Sequence, residues 1–227
     1  MVVGKRDPAR GRHAVILCHP GPASFNHAIA AAYCDAVRGA GQEVVFRDLY
    51  AMGFDPVLKA AERPTNVPAV YGADVLAEVD AIAGCDVFVL VYPIWFGTPP
   101  AMLKGYVERV FGAGVQPETL QSRVQTDLLG GKRLVSFSTS AASKIWLDEQ
   151  GQGQGLNSVF DQYIVHAFGM RSQEHRRFAH ITQDLRKQFA DQYLRDVAAQ
   201  AQRTCAQIAF GDEALLADPA LVARMAG

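Results

Sequence analysis

Three stretches of the chain are short and apolar on both faces: His13-Ala14-Val15-Ile16-Leu17-Cys18, Asp86-Val87-Phe88-Val89-Leu90-Val91 and Arg133-Leu134-Val135-Ser136-Phe137-Ser138. Runs of that length without polar alternation suit strands buried between two helix layers, as in a parallel sheet. Glu43-Val44-Val45-Phe46-Arg47 fits a further strand, and Arg171 to His180 supplies a more polar fifth. Helical periodicity fills the intervals. Ser24 caps a helix whose apolar positions Phe25, Ala28, Ile29, Ala32, Tyr33, Ala36 and Val37 follow the 3.6-residue period, and Gly39 and Gly41 lie where it stops. Tyr71 to Ala83 reads as a second helix. Thr98 caps a third, with Pro99 at its first position. Leu156 to Phe168 and Asp184 to Ala209 complete five. Strand and helix alternate without internal repeat or low-complexity linker, which predicts one doubly wound α/β domain over 13–210. Residues 1–12 are expected as a disordered tail and 211–227 as a C-terminal tail.

Composition removes other classes. With 227 residues, 49% of them hydrophobic, and a formal charge of only -1, the chain is neither disordered nor built for nucleic acid. Apolar runs stop well short of a membrane span, and the polar start holding Lys5, Arg6, Asp7, Arg10 and Arg12 predicts no secretory signal. Cys18, Cys34, Cys85 and Cys205 lie far apart with no CxxC pair, so free thiols in a reducing cytoplasm are expected rather than disulfides or a metal site.

Ligands of such sheets bind beyond the carboxyl ends of the strands, where the strand order reverses. The loop from His19 to Asn26 joins a strand to a helix start, where backbone N–H groups and the helix dipole favour an anion. It lacks the Gly-Lys-Ser/Thr of a P-loop and the GxGxxG of a dinucleotide fold, and its plain alternative is a capped helix with His19 packed or solvated. Tyr92-Pro93-Ile94-Trp95-Phe96-Gly97-Thr98-Pro99-Pro100 sets two adjacent aromatics among prolines, a platform for a flat ring unless both merely fill the gap above the sheet. Ser138-Thr139-Ser140-Ala141-Ala142-Ser143 offers hydroxyls and close backbone approach. Elsewhere the plain reading is preferred. His175 and His180 are placed on an exposed edge without metal-ligand spacing, and Ser138 and Ser140 show no His–Asp partnership and no GxSxG elbow. Glu43, Glu78 and Asp80 read as solvated, and Gln150 to Gly155 as a mobile loop near the pocket.

These loops also carry a likeness. His19-Pro20, Ser24-Phe25-Asn26, Asp48-Leu49-Tyr50-Ala51-Met52-Gly53-Phe54-Asp55-Pro56 and the run from Tyr92 through Tyr106 to Arg109-Val110-Phe111 resemble the flavodoxin-like NAD(P)H:quinone oxidoreductases, over about His13 to Met170. The resemblance implies a flavodoxin-like three-layer fold with a five-stranded parallel sheet. It also implies a cytoplasmic, homodimeric flavoenzyme that takes hydride from NAD(P)H and passes it to a quinone, with FAD as the flavin or FMN in its place. Phosphate binding then falls on His19, Ser24, Phe25 and Asn26, and ring contacts on Pro93, Ile94, Trp95 and Phe96. Ser138, Thr139, Ser140 and Ala141 stand where the family has a Thr-Thr-Gly-Gly run. The family's Tyr and His proton relay has no counterpart in Lys144 to Gly155, where Trp146 is nearest the Tyr position, so no proton donor is assigned. An azo- or nitro-reductase, or a flavin-binding regulator or electron carrier, is the alternative on the same scaffold.

Overall fold

The computed structural model describes residues 11–66, 68–116 and 128–224; nearly all of the expected N-terminal tail lies outside them. Five strands, β1 (Arg12–Leu17), β2 (Glu43–Asp48), β3 (Val87–Pro93), β4 (Arg133–Thr139) and β5 (Ser172–Phe178), pair in the order β2-β1-β3-β4-β5, all parallel. The chain first steps outward from β1 to β2 and then back past β1 to β3. The reversal between β1 and β3 is the crevice where such sheets bind ligands.

Side-chain alternation gives each face of the sheet its own core. Val15, Leu17, Val89, Val91 and Phe137 pack on α1 (Phe25–Gly39) and on a long C-terminal helix over Lys187–Phe210. Ile16, Phe88, Leu90, Tyr92 and Leu134 face α2 (Ala73–Ile82), α3 (Ala101–Tyr106) and the helical segment before β5. All of β3 is buried, which explains its unbroken apolar sequence. Each large aliphatic removed from water here stabilises the fold by about 1.5–3 kcal/mol. His13 is fully buried between the Tyr33 hydroxyl at 3.0 Å and Gln42 Oε1 at 2.8 Å, and burial pushes its pKa down to about 4.

Several boundaries differ from expectation. Arg12 already belongs to β1, its backbone N–H donating to Asp86. Thr98 does not cap α3, because Trp95 and Thr98 exchange backbone hydrogen bonds across a tight turn, and the helix starts after Pro100. A further helix, α4 (Lys144–Glu149), is capped by Ser143, and the Gly/Gln stretch begins α5 (Gln152–Leu156) instead of forming a loop. The low helix propensity of glycine hides it from the pattern. The predicted helix from Leu156 is therefore longer and compound: a π-helical segment, Asn157–Gln162, links α5 to α6 (Tyr163–Ala167). A second π segment, Val107–Phe111, extends α3.

The last described residues are helical too. After the Lys187–Phe210 helix, α7, come α8 (Asp212–Ala217) and α9 (Leu221–Arg224), where a tail was expected. Asp212 anchors this end by accepting from Arg133 at 2.6 Å and pairing with Arg171 at 2.9 Å. Glu78 is not solvated: it is buried under Arg47 and the Tyr106 hydroxyl. Arg109, also buried, forks onto Glu62 at 2.8 and 2.7 Å and reaches Asp74 at 2.6 Å, holding the Glu62 carboxyl down to about 2.

Candidate active site

The carboxyl ends of β1, β3 and β4 open into a cavity of 190 Å³. From the first loop it is lined by His19, Ser24, Phe25 and Asn26, from the second by Pro93, Ile94 and Trp95, and from the third by Thr139, Ser140 and Ala141. Ile181, just past β5, closes it and had no motif to announce it.

The first loop is donor-rich for definite reasons. The Gly21 N–H donates to His19 Nδ1 at 2.9 Å, so the neutral ring carries its proton on Nε2, a remaining donor. Burial lowers the pKa of His19, which favours that neutral form. Ser24 is the N-cap of α1, with extended backbone and a side chain that accepts from the His27 N–H. The Phe25 and Asn26 N–H groups that follow it have no partner within the helix. Asn26 is buried, donates from Nδ2 to Thr139 Oγ1 at 2.9 Å, and leaves Oδ1 without a hydrogen-bond partner. An orphaned buried acceptor is costly unless a ligand hydroxyl or amide fills it.

The second loop presents Trp95 half-buried, its ring 5.8 Å from that of His19. Phe96 does not line the cavity. It is fully exposed at the tip of the Trp95–Thr98 turn with φ of 50°, beside Gly97 at 85°. A non-glycine residue in that region is strained by about 1–3 kcal/mol.

Ser138 does not line the cavity either. The pleat turns it to the opposite face of β4 from Thr139, where it is fully buried with Oγ 2.7 Å from His175 Nε2. His175 Nδ1 in turn lies 2.6 Å from Asp161 Oδ2, and the Ser136 hydroxyl donates to Asp161 Oδ1 at 2.8 Å. A Ser–His–Asp array therefore exists, contrary to the sequence reading, and His175 is not exposed. The reading missed it because Asp161 comes from a helix and His175 from β5. Polar residues at alternate positions of β4, Ser136 and Ser138, were the available signal.

A second array stands at the other flank. Ser24 Oγ is 2.9 Å from His27 Nδ1, and His27 Nε2 is 3.2 Å from Asp48 Oδ2. Among the described residues no cluster of His, Cys, Asp and Glu has the makings of a metal site, and no helix is long and apolar enough to cross a membrane.

Comparison with known proteins agrees with this fold. A family model described as a flavodoxin-like fold matches residues 12–201. An uncharacterized NAD(P)H oxidoreductase of Haemophilus influenzae is 32% identical over 170 residues, covering 74% of this chain and 84% of that protein. NAD(P)H dehydrogenase (quinone) 1 of Cavia porcellus is 36% identical over 121 residues, covering 45% of this chain and 44% of its own length. Among solved structures, the NAD(P)H:quinone oxidoreductase of Methanothermobacter marburgensis superposes with a TM-score of 0.71 at 18% identity, over 85% of this chain and 96% of that one. An FMN-dependent NADH-azoreductase of Bacillus anthracis, solved with FMN, does so with a TM-score of 0.60 at 16% identity, over 86% and 99%. By the sheet order, the placement of the three loops and the extent of these matches, the chain belongs to the flavodoxin-like family of NAD(P)H:quinone oxidoreductases.

Proposed function

We propose that the chain is a flavin-dependent NAD(P)H oxidoreductase that reduces quinones by two electrons, its flavin held in the cavity between β1, β3 and β4. One observation carries the reading: donors at the α1 start, a half-buried indole and small hydroxyl residues, each from a different strand end, line a single cavity. A ribityl phosphate fits this donor set. His19 Nε2 and the first N–H groups of α1 would meet the phosphate, the unpartnered Asn26 Oδ1 would accept from a ribityl hydroxyl, and Trp95 would flank the ring. When bound, flavin supplies hydride acceptance from the nicotinamide and hydride donation to the acceptor. The protein's own part is to orient both partners and to place the Phe96, Gly97 and Ala141 N–H groups, in loops whose Ile94, Trp95, Thr98 and Ser140 N–H groups are already paired, near developing negative charge.

The neighbouring groove favours FAD over FMN. It is 640 Å³ in volume, lined by His180, Arg186, Phe189 and Tyr193, and its wall adjoins that of the first cavity, since Ile181 follows His180 and the Phe25 ring stands 6.4 Å from that of Tyr193. Arg186 suits a second phosphate and the aromatics an adenine. We further assign a homodimer, since Phe96, Ile145, Trp146, Val159 and Tyr163 leave apolar surface open, and the cytoplasm, since Cys18, Cys34, Cys85 and Cys205 are all free, buried thiols. The azoreductase relative keeps azo compounds as a second acceptor class.

The visible spectrum of the purified protein, with heat release and chromatography of any yellow ligand, tests the flavin and its kind. NAD(P)H bleaching followed by reoxidation with a quinone tests the reaction. Asn26→Asp should weaken flavin retention by setting charge against the ribityl phosphate chain and removing the donor to Thr139, and unaltered retention would place that chain elsewhere.

A further inference from the structure

We propose that the buried Asp161–His175 couple takes up one proton for each hydride delivered at the adjoining cavity, making His175 a charge-compensating positioning residue. The proposal rests on the flavin reading above. Its geometry does not: Asp161, His175 and Ser138 form an unbroken hydrogen-bonded line with 2.6 and 2.7 Å links, and the Asp161 and His175 side chains are only 1% and 4% exposed.

The line lies one residue behind the cavity on two strands. Ser138 precedes Thr139, Ser140 and Ala141, which line it. Tyr92, whose ring is 6.1 Å from that of His175, precedes Pro93, Ile94 and Trp95, which line it too. The same array in a hydrolase would activate the serine, but Ser138 is fully buried within a strand and has no room for an acyl group.

Charge counting gives the role. The carboxylate can only accept, so Nδ1 carries the proton, and in the neutral ring Nε2 accepts from the Ser138 hydroxyl. The couple then bears one negative charge in the interior. A proton arriving at Nε2 makes the couple neutral, while the Ser138 hydroxyl turns from donor to acceptor. For His13, which has no carboxylate partner, the same event would create a buried charge, and its pKa is driven down.

The other groups around His175 are few. Tyr92 on β3 has a buried hydroxyl without a hydrogen-bond partner, Ser136 on β4 bonds Asp161, and Arg177 on β5 lends a positive field to Tyr92. Glu174 and Arg176 face the other side of the sheet, where Gln200 binds both.

The balance closes. NAD(P)H loses a hydride, two electrons and one proton, and leaves as NAD(P)+. The site gains one negative charge, and a proton drawn from water onto His175 Nε2 offsets it. When the hydride passes to a quinone, one further proton completes the hydroquinone, and His175 gives one up.

The test is proton uptake per two electrons on anaerobic photoreduction of the flavin-loaded protein, between about pH 5 and 9, in the parent, His175→Gln and Asp161→Asn. Over part of that range the parent should take up one proton more than His175→Gln, a tenfold steeper response of the reduction equilibrium per pH unit. Equal uptake in parent and variants with flavin retained would overturn the inference and leave the flavin reading standing. A chain that takes up neither FMN nor FAD would overturn both. Should the variants not fold, nitrogen NMR of His175 in the parent decides. One protonated ring nitrogen before reduction and two after supports the proposal, and an unchanged ring sinks it. Labelling of Ser138 by a fluorophosphonate would also sink it.

Discussion

Two serine–histidine–aspartate arrays flank the cavity, and they are wired in opposite senses. At the start of α1, Asp48 meets His27 Nε2 and Ser24 meets Nδ1, with His27 and Asp48 side chains 22% and 16% exposed. Behind β4, Asp161 meets His175 Nδ1 and Ser138 meets Nε2, almost out of reach of water. The same three residue types thus give a solvated donor cluster in one place and an isolated acid–imidazole couple in the other. Depth, not composition, decides which chemistry is available, because the energy of an unbalanced charge grows as water is withdrawn.

The sharpest way to break the comparison is to remove each acid. Asp161→Ala strands Ser136 and His175 in the interior and should cost about 3–5 kcal/mol, whereas Asp48→Ala should cost about 1–2 kcal/mol. Urea unfolding at neutral pH measures both, and equal losses would mean that depth does not separate the arrays. Next in size is the effect of acid on His13, a buried histidine whose hydrogen-bond partners are the neutral Tyr33 and Gln42 and on which burial outweighs the field of Asp86. Its pKa is about 4 in the fold against an ordinary 6.5, so the unfolded chain binds the extra proton between those values. Stability should therefore fall as pH drops through that window, by about 3 kcal/mol at its acid end. A stability–pH profile that His13→Gln leaves unchanged would assign the loss elsewhere.

Smaller effects sharpen the outer array. His27 holds the Ser24 hydroxyl through Nδ1 at 2.9 Å and is itself held by Asp48 through Nε2 at 3.2 Å. His27→Phe should weaken flavin binding about fivefold, roughly 1 kcal/mol, by releasing that hydroxyl from its place at the phosphate. Calorimetric titration of both proteins with flavin reads this directly. Smallest of all, Phe96→Gly relaxes the positive φ at the turn tip and should raise stability by about 1 kcal/mol in urea unfolding without altering either array.

Legibility followed the range of the interaction. β3 and β4 stood out because burial on both faces makes each a continuous apolar run, and α1 because its cap, stripe and stop agree. The loops lining the cavity were readable for a related reason: each follows its strand directly, so the sheet alone brings them together. Contacts that join distant segments were not readable. Nothing near Asp161 in sequence announces His175, and Glu78 appears solvated until Arg47 and Tyr106 fold over it. Glycines at 151, 153 and 155 concealed a helix that tertiary packing stabilises against its own propensity.

The π segment over Asn157–Gln162 has a consequence for how this chain tolerates change. In an α-helix each added or lost residue turns everything beyond it by about 100°. Deleting Val159, an exposed position that packing would scarcely miss, would leave a helix in place and swing Asp161 off the axis that meets Ser136 and His175. The inner array is thus specified by chain length as much as by its side chains. Among relatives, a one-residue gap in this helix would mark its loss even where the histidine and both serines are kept.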